Sequence, residues 1–385
     1  MAKRSLQVDH ATLTDVAAAA GVSRATAARA LGGYGSVSED ARALVEAAAE
    51  SLGYYPNTLA RSMITGATHT IGVVVADIEL SFFARAVRGI ADASKAQGFE
   101  VILANSDEDL AMERAAIGVL LEKRVDGLIV APAAPDNAGH LADLVRRGIP
   151  LVLLDRGAPG IPADAIVVDN VRAAHNVVSH LVRLGHRRIA IISENPKRLS
   201  VSQLADAAFG PGDALTSTLR LSGWASALRS VGLPLSDDLL LTTAYNREQA
   251  AAATAAALAT EDPPSAIFSV DETMTLGAVD AITALGLRMP TDISLVAFDD
   301  LQWSTLVQPP LTVVSQPVYQ LGMTATERLL GRIAGDERPP ETIVLDTNFV
   351  LRGSTGPVPT GTRRTKVATR TTSTGGSAAP GASSR

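Results

Sequence analysis

Short apolar runs that alternate with helical stretches fill most of the chain after Thr70. Nearly continuous apolar runs are typical of strands buried on both faces of a parallel sheet, and the helices between them cover those faces. The pattern occurs twice, so we expect an α/β fold of two halves with a cleft between them. The apolar runs are 71–75, 101–103, 127–130, 151–154, 188–193, 239–242, 266–269 and 293–298, and the first helices are expected at 82–97, 109–124 and 138–148.

The start of the chain carries a different pattern. Thr12 and Asp15 are spaced as a capping box for a short helix, and Gly21 ends that helix because only a residue tolerant of positive φ turns the chain so tightly. Ser23 then caps a second helix. Two short helices joined by a turn that contains Gly form a helix-turn-helix, whose second helix enters the major groove of DNA.

A third helix is expected after Ser38, with two acidic residues in the first turn, where the helix dipole favours negative charge. Its apolar positions recur at helical spacing and are expected to pack the three helices together. These positions are Leu44, Val45, Ala48 and Leu52.

Composition narrows the class of protein. The chain has 385 residues, no cysteine and a formal net charge of −6. The lack of cysteine excludes disulfides, and no apolar run has the length of a transmembrane helix. The first residues lack the apolar core of a secretory signal, so a cytoplasmic protein is expected. Residues 1–66 hold six basic and six acidic side chains, so the placement of arginines must carry any DNA binding.

The chain resembles the LacI/GalR-type family of bacterial transcription regulators. The resemblance extends to about Pro357 and implies a helix-turn-helix head, a hinge helix and a two-lobed core of the periplasmic-binding-protein type. The chain is expected to cross between the lobes near Val168, Leu311 and Pro339. The matching stretches are Thr14–Ala17, Ala20–Ser23, Arg29–Leu31, Val37-Ser38, Leu52–Tyr54, Pro56-Asn57 and Leu59–Ser62.

Five segments follow from this resemblance. Residues 1–11 are expected to form an N-terminal tail, 12–56 the DNA-binding domain, 57–66 the hinge helix, and 67–357 the effector-binding and dimerisation domain. Residues 358–385 are rich in Thr, Ser, Gly and Ala and are expected to be disordered. No leucine heptad appears at this end, so a homodimer is expected rather than a tetramer.

The resemblance assigns base contacts to Arg24, Ala25 and Arg29. Arginine can donate two hydrogen bonds to guanine, and alanine can touch a thymine methyl group. A phosphate contact is the alternative for Arg24. The full set of expected DNA-binding residues is Thr12, Ser23, Arg24, Ala25, Thr26, Arg29, Tyr54, Asn57, Ala60 and Met63.

Several of these residues have a second interpretation. Ser23, Thr26 and Tyr54 contact phosphates or serve only as caps and packing residues. Met63 stands where the family typically has Leu, and we expect its thin apolar side chain to wedge into a central base step. Packing between two hinges is the alternative for Met63. Ala27-Ala28 and Gly32 also depart from the family pattern.

An effector site is expected beyond the carboxyl ends of the strands, where open α/β sheets bind ligands. Carboxylates accept hydroxyl hydrogen bonds, a guanidinium donates in a fork, and rings cover the C–H face of a sugar, so a carbohydrate or a derivative is expected. The candidates are Phe82 and Phe83 on the loop after the first strand, Asp155 at the end of the fourth strand, Arg220 at the start of a helix, and Tyr245, Asp271 and Asp299 after later strands.

Alternatives remain for part of this site. Asp271 is also placed as a helix cap, and Phe82 and Phe83 as core residues. Val270 stands where the family commonly has Asn, which removes a polar contact. The 27 residues between Ile192 and Arg220 exceed the family pattern and form either a lid beside the cleft or a surface loop.

The sequence favours a regulator over two rival classes of protein. We expect a homodimeric, nucleoid-associated repressor that binds a pseudo-palindromic DNA operator and responds to a small effector as inducer or corepressor. A periplasmic-type binding protein without DNA activity is the alternative. The histidines lack metal-ligand spacing, and no nucleophile–base pair is present, so no metal, no cofactor and no enzyme activity are expected.

Overall fold

The structure is a computed structural model that describes residues 11–32, 35–54 and 67–358. The hinge segment 57–66, nearly all of the tail 358–385, and the candidates Asn57, Ala60 and Met63 lie outside those residues. Among the helices of the described ranges, none combines the length and apolar character that a bilayer span requires.

Three short helices open the chain, as predicted: α1 (Leu13–Ala19), α2 (Arg24–Gly32) and α3 (Glu39–Ser51). The capping box is present, because the Asp15 N–H donates to the Thr12 hydroxyl while the Asp15 carboxylate accepts from the Thr12 N–H at 2.7 Å. Gly21 has a φ of +66°, which allows the turn between α1 and α2. Ser38 caps α3 through the N–H of Ala41 at 3.4 Å.

The core of these helices is built from small residues. The prediction for Leu44 and Leu52 was wrong: their exposed fractions are 57% and 40%. Ala49 is buried instead, because the face of α3 that packs on α1 and α2 is the one that carries Val45, Ala48 and Ala49. The buried residues are Val16, Ala17, Ala27, Ala30, Val45, Ala48 and Ala49.

Strands and helices alternate through the rest of the chain. The first part contains β1 (Thr70–Val75), α4 (Ser81–Ala96), β2 (Glu100–Asn105), α5 (Leu110–Glu122), β3 (Gly127–Val130), α6 (Gly139–Arg146), β4 (Leu151–Leu154) and β5 (Asp164–Val168). The second part contains α7 (Asn170–Arg183), β6 (Ile189–Ser193), α8 (Val201–Asp206), α9 (Thr216–Ser230), β7 (Leu240–Thr242), α10 (Arg247–Leu258), β8 (Ala266–Ser269), α11 (Glu272–Ala284), β9 (Ser294–Phe298), β10 (Thr312–Ser315), α12 (Val318–Ile333), β11 (Thr342–Leu345) and β12 (Asn348–Val350).

The strands form two sheets of the same design. Their orders are β11-β5-β4-β3-β1-β2 and β12-β10-β9-β8-β6-β7, so each contains the strand order 2-1-3-4-5 of a doubly wound fold. Strands β1 to β4 pair in parallel with their neighbours, as do β6 to β9, whereas β12 runs antiparallel to β10. The predicted α/β class is therefore confirmed.

The chain divides into two compact units, each built around one sheet. Unit 1 and unit 2 meet along the chain at Val167/Val168, Pro317/Val318 and Ile343/Val344. The first of these points matches the expected crossing at Val168. The other two lie after the expected positions at Leu311 and Pro339. The reason is that α12 begins only at Val318 and that β11 of the first sheet begins only at Thr342.

One strand is not buried as expected. In β2 the side chains of Ile102 and Leu103 are each more than a third exposed. The physical reason is the position of β2 at the end of its sheet, where one edge has no neighbouring strand in the described chain.

The inserted segment between Ile192 and Arg220 is part of the core of unit 2. Its helix α8 buries Val201 and Leu204 completely against a cluster that includes Trp224 and Phe268. The N–H of Val201 also donates to Asp237 at 2.9 Å. The segment is therefore not simply a surface loop.

Glycines bring two helices of unit 1 into backbone contact. A Cβ atom on Gly89 would lie 2.2 Å from the carbonyl oxygen of Tyr319, and one on Gly322 would lie 2.1 Å from that of Ala86. Helices α4 and α12 therefore cross so closely that only glycine, which has no Cβ atom, fits at these two positions.

Candidate functional site

The N-terminus of α2 presents a small side chain and a cation to solvent. Ser23 caps the helix, since its hydroxyl accepts from the Thr26 N–H at 3.1 Å. Arg24 and Ala25 follow directly and are both exposed. In a helix-turn-helix these first residues of the second helix are the ones that meet base edges.

Other candidates in the helix-turn-helix have structural partners. The hydroxyls of Ser23 and Thr26 lie 2.9 Å apart, and Arg29 donates to the Thr26 hydroxyl at 3.5 Å. Thr12 caps α1, and Tyr54 packs on the core of the three helices. Capping or packing is therefore observed for Thr12, Ser23, Thr26 and Tyr54, and a phosphate contact would be an additional role.

In unit 1, polar groups cluster after the parallel strands. Asp155 follows β4 with a φ of +69°, and its N–H donates to Ile166 at 2.9 Å. The next residue, Arg156, is buried and forms two 2.6 Å hydrogen bonds to Glu108, with its Nε 3.5 Å from Asp155. Sequence reasoning missed Arg156. A basic residue directly after an apolar strand was the available signal.

The aromatic pair of unit 1 lies on a helix, whereas a loop was expected. Phe82 and Phe83 belong to the first turn of α4, which begins at Ser81. Their ring centroids are 5.1 Å apart with planes at 88°. Phe83 is buried in the core, whereas Phe82 is half-buried. The core interpretation therefore holds for Phe83, and Phe82 is the more exposed ring of the pair.

In unit 2, Arg220 is the centre of a buried polar group. It lies in the second turn of α9 rather than at the helix start, because α9 begins at Thr216. Its Nε donates to Asn170 at 2.8 Å, and its Nη1 donates to the Val270 carbonyl at 2.5 Å. The guanidinium carbon lies 3.6 Å from the centroid of Phe298, a cation–π contact. Asn170 was not predicted, because it is distant in sequence and carries no motif.

Two aspartates follow neighbouring strands of unit 2. Asp271 follows β8 and caps α11 by accepting from the Met274 N–H at 2.8 Å, which confirms its capping role. Burial raises the pKa of Asp271 to about 7 against the opposing effects of that N–H and of Arg220. The negative charges of Asp299 and Glu194 add to this rise.

Asp299 follows β9 with a φ of +78°, and its N–H donates to Val314 at 2.9 Å. This repeats the geometry of Asp155 after β4 in the other unit. The Gln316 side chain donates to the Asp299 carboxylate at 2.6 Å, and its own amide oxygen is buried without a hydrogen-bond partner among the described residues. Gln316 was also missed, since a single Gln after a strand is an ordinary sequence feature.

The unit 2 group thus combines hydrogen-bond acceptors with a fixed cation. Arg220 and Asp299 lie near enough to Asp271 for their charges to act on its pKa. Tyr245 is 41% exposed, and its pKa is raised by the partial burial of its hydroxyl and by the charges of both aspartates. Carboxylates and amide oxygens accept hydrogen bonds from hydroxyls, so the group can hold a polyhydroxylated molecule.

Comparisons with known proteins cover nearly the whole described chain. A family model for bacterial regulatory proteins of the lacI family matches residues 12–57. A second model, for periplasmic binding proteins and the sugar binding domain of the LacI family, matches residues 68–352.

Two curated relatives match at full length. The HTH-type transcriptional regulator PtxS of Pseudomonas putida is 32% identical over 91% of this chain and 97% of its own length. The HTH-type transcriptional repressor CytR of Escherichia coli is 30% identical over 93% of this chain and 100% of its own length.

Solved structures agree with these matches. The lac repressor dimer bound to operator and the anti-inducer ONPF superposes with a TM-score of 0.76 at 28% identity, over 90% of this chain and 99% of that one. A LacI family transcriptional regulator from Enterococcus faecium with bound ribose gives 0.63 at 29% identity, over 75% and 99%. The chain therefore belongs to the LacI family of bacterial transcriptional regulators, with a helix-turn-helix DNA-binding domain followed by an effector-binding domain of the periplasmic-binding-protein type.

Proposed function

We propose that the protein is a repressor that binds a pseudo-palindromic operator through α2. The observation that carries this proposal is the exposed Arg24-Ala25 pair at the Ser23-capped start of the second helix. Arg24 reads a guanine and Ala25 a thymine methyl group, with segment 57–66 as the hinge that joins the head to the core and Met63 as its wedge.

The experiment is a selection of genomic DNA fragments by the purified full-length chain, followed by gel-shift titration at low ionic strength. Binding to a two-fold symmetric sequence is the expected result. If the protein binds no DNA duplex in preference to any other, the proposal would be withdrawn. The protein would then be a ligand-binding module, which is the second candidate function.

The proposed effector is a neutral carbohydrate or a related polyol. In unit 2, Arg220, Asp271, Asp299 and Tyr245 are the contacts we propose for it. Phe82 and Asp155 are the candidate contacts of unit 1, taken by itself. The half-buried Asp299 carboxylate and the buried amide oxygen of Gln316 beside it support hydroxyl recognition, because both are hydrogen-bond acceptors.

A thermal-shift screen against sugars, polyols and nucleosides tests the effector class. A binder raises the melting temperature by mass action. The Asp299→Asn variant should lose most of that shift, while Glu248→Gln, an exposed acid of the same unit, should keep it. An equal shift in both variants would remove Asp299 from the site.

The proposed assembly is a homodimer that uses the exposed face of β2 and α5. Met112 and Val119 are seven residues apart on α5 and are 45% and 53% exposed. Ile102 and Leu103 of the edge strand extend this apolar surface. A second copy of the chain is the occupant we propose, since the lac repressor that superposes on this chain is described as a dimer.

The protein is proposed to act on the bacterial nucleoid in the cytoplasm and to lack enzymatic activity. Its curated relatives are transcriptional regulators. Recovery of a chemically unchanged ligand after long incubation with the protein supports a pure binding role, and turnover would contradict it.

A further inference from the structure

The chain leads into β1 through a short segment held by one carboxylate. Residues 67–69 directly precede β1 and directly follow segment 57–66. The Asp126 carboxylate accepts from the Thr68 N–H at 2.8 Å and from the His69 N–H at 2.7 Å. The Thr68 hydroxyl lies 2.9 Å from the same carboxylate and 2.8 Å from the Arg124 carbonyl oxygen, so these two acceptors share its one proton. Two consecutive backbone N–H groups thus converge on a single side chain, which we call the Asp126 clamp.

The clamp is itself fixed by the turn that ends α5. The N–H of Lys123 donates to Val119 at 3.0 Å, and the N–H of Asp126 donates to Thr70 at 2.7 Å. Arg124, between them, has a φ of +59°, so the turn has a tightly defined shape. The carboxylate therefore connects the residues that lead into β1 to the turn after α5, the helix that carries the proposed dimer face.

The clamped segment has a conformation that its own residues do not prefer. His69 has a φ of +51°, which costs a non-glycine residue energy. The carbonyl of His69 accepts from the Glu100 N–H at 2.8 Å, and its ring lies 5.1 Å from Phe99. Contacts from two other parts of unit 1 thus hold these residues in place, and Asp126 supplies the charged acceptor among them.

Operator binding would benefit if residues 67–69, which follow the head along the chain, are held in one conformation. Two heads in a dimer must meet half-sites about 34 Å apart along the duplex, and a head on a loosely held connection pays entropy for each placement. A carboxylate that accepts from two backbone N–H groups and is in reach of a shared hydroxyl is a strong local restraint, because bonds to a charged acceptor are about twice as strong as neutral ones.

We infer that Asp126 is a positioning residue for DNA binding: it holds Thr68 and His69, which lie between the helix-turn-helix and β1 along the chain. This inference rests on the proposed operator function. It assigns the clamp a role in operator affinity and not only in the stability of unit 1.

The test compares full-length Asp126→Asn with wild type on the operator fragment that wild type selects. The amide keeps one acceptor oxygen and loses the charge. At a temperature where circular dichroism shows both proteins folded, operator affinity should fall about ten-fold, because Thr68 and His69 would then have to be ordered when DNA binds. Amide hydrogen exchange at Thr68 and His69 should accelerate in parallel, while sedimentation should show an unchanged dimer.

Two further variants keep the inference falsifiable. Thr68→Val removes only the hydroxyl and should give a smaller loss of affinity in the same direction. Asp143→Asn, an exposed aspartate of α6 in the same unit, should leave affinity unchanged. Wild-type affinity in both clamp variants, together with faster exchange at residues 68–69, would overturn the inference. If wild type itself selects no operator, the proposed function fails instead.

Discussion

At the scale of single residues, the functional candidates differ in how far the surrounding residues fix the position of the side chain. Arg24 is exposed at a helix start, whereas Arg220 is held by Asn170, the Val270 carbonyl and the Phe298 ring. An exposed arginine can adapt to a base edge. A buried one presents a fixed surface to a ligand, so its position depends on residues that no local motif contains.

The first prediction concerns Arg24. Replacing it with alanine should weaken operator binding by about ten- to one-hundred-fold, because a bidentate contact to guanine contributes about 1–3 kcal/mol. Gel-shift titration of the selected operator and of a variant with each guanine replaced measures both affinity and specificity. Arg85→Ala removes the same charge from an exposed site on α4 and serves as the control. A uniform loss on all sequences would assign Arg24 to phosphate.

The second prediction concerns His186. Its ring is buried, with Nε2 3.0 Å from the Gly356 carbonyl oxygen and Nδ1 2.9 Å from the Ser265 hydroxyl. Burial lowers the pKa of His186 below its ordinary value of 6.5, although the Gly356 bond opposes the shift. The pKa of His180 is also lowered, by burial and by Arg183 and His186.

Both histidines therefore bind protons more readily in the unfolded chain. Stability contributed by their neutral rings is present above pH 6.5 and is lost as the pH falls through the folded-state pKa values. Urea titrations at pH 7.5 and 5.5, followed by the fluorescence of the buried Trp224, should show a lower unfolding free energy at pH 5.5. The His186→Gln variant should show a smaller pH dependence, and an unchanged one would contradict this account.

At the scale of helices and strands, close packing limits what the chain tolerates. Helices α4 and α12 touch through backbone at Gly89 and Gly322, and α9 meets α7 in the same way at Gly223, where a Cβ atom would lie 2.3 Å from the Val171 carbonyl oxygen. Side chains larger than hydrogen would push these helices off their sheets.

The third prediction follows from the α4–α12 contact. Gly322→Ala should destabilise unit 1 by about 1–3 kcal/mol, because its methyl group collides with the Ala86 carbonyl and the backbone must shift. Gly331→Ala on the same helix is the matched control, since its Cβ would lie 3.7 Å from the nearest atom, on Asp336. That variant should gain about 0.5–1 kcal/mol from helix propensity. Thermal melts followed by circular dichroism decide, and equal stabilities would contradict the packing argument.

At the scale of the whole molecule, the proposed function depends on two copies acting together. The apolar face of β2 and α5 has no cover within the described chain, and burial of that surface would contribute about 25 cal/mol for each Å² removed from water. A dimer would also place two heads on one symmetric operator.

The fourth prediction tests this face. Val119→Lys should weaken the dimer and reduce operator affinity in parallel, because a charge would be buried against apolar side chains. Sedimentation equilibrium measures the association constant. Val231→Lys, at a 46% exposed position of unit 2 outside the face, is the control. An intact dimer in Val119→Lys would exclude this surface.

Much of the molecule was predictable from local pattern. The capping residues Thr12, Ser23 and Ser38 and the turn at Gly21 define the head, and strands such as β3 and β4 were predicted at their observed bounds. Hydrophobic periodicity and caps act over a few residues, so a single sequence records them directly. Leu44 and Leu52 show the limit, since equal spacing does not say which side of α3 meets the other helices.

The amino-acid order by itself determined the α/β class, the family and the strand-end aspartates, because helix caps, turns and buried strands depend on neighbours along the chain. Only the tertiary structure decided that Asn170 and Gln316 join Arg220 and Asp299, that α8 belongs to the core of unit 2, and that Asp126 holds residues 68–69. These partners lie far apart in sequence. Their contacts arise when the sheets and helices pack, and no local pattern encodes which distant side chains then meet.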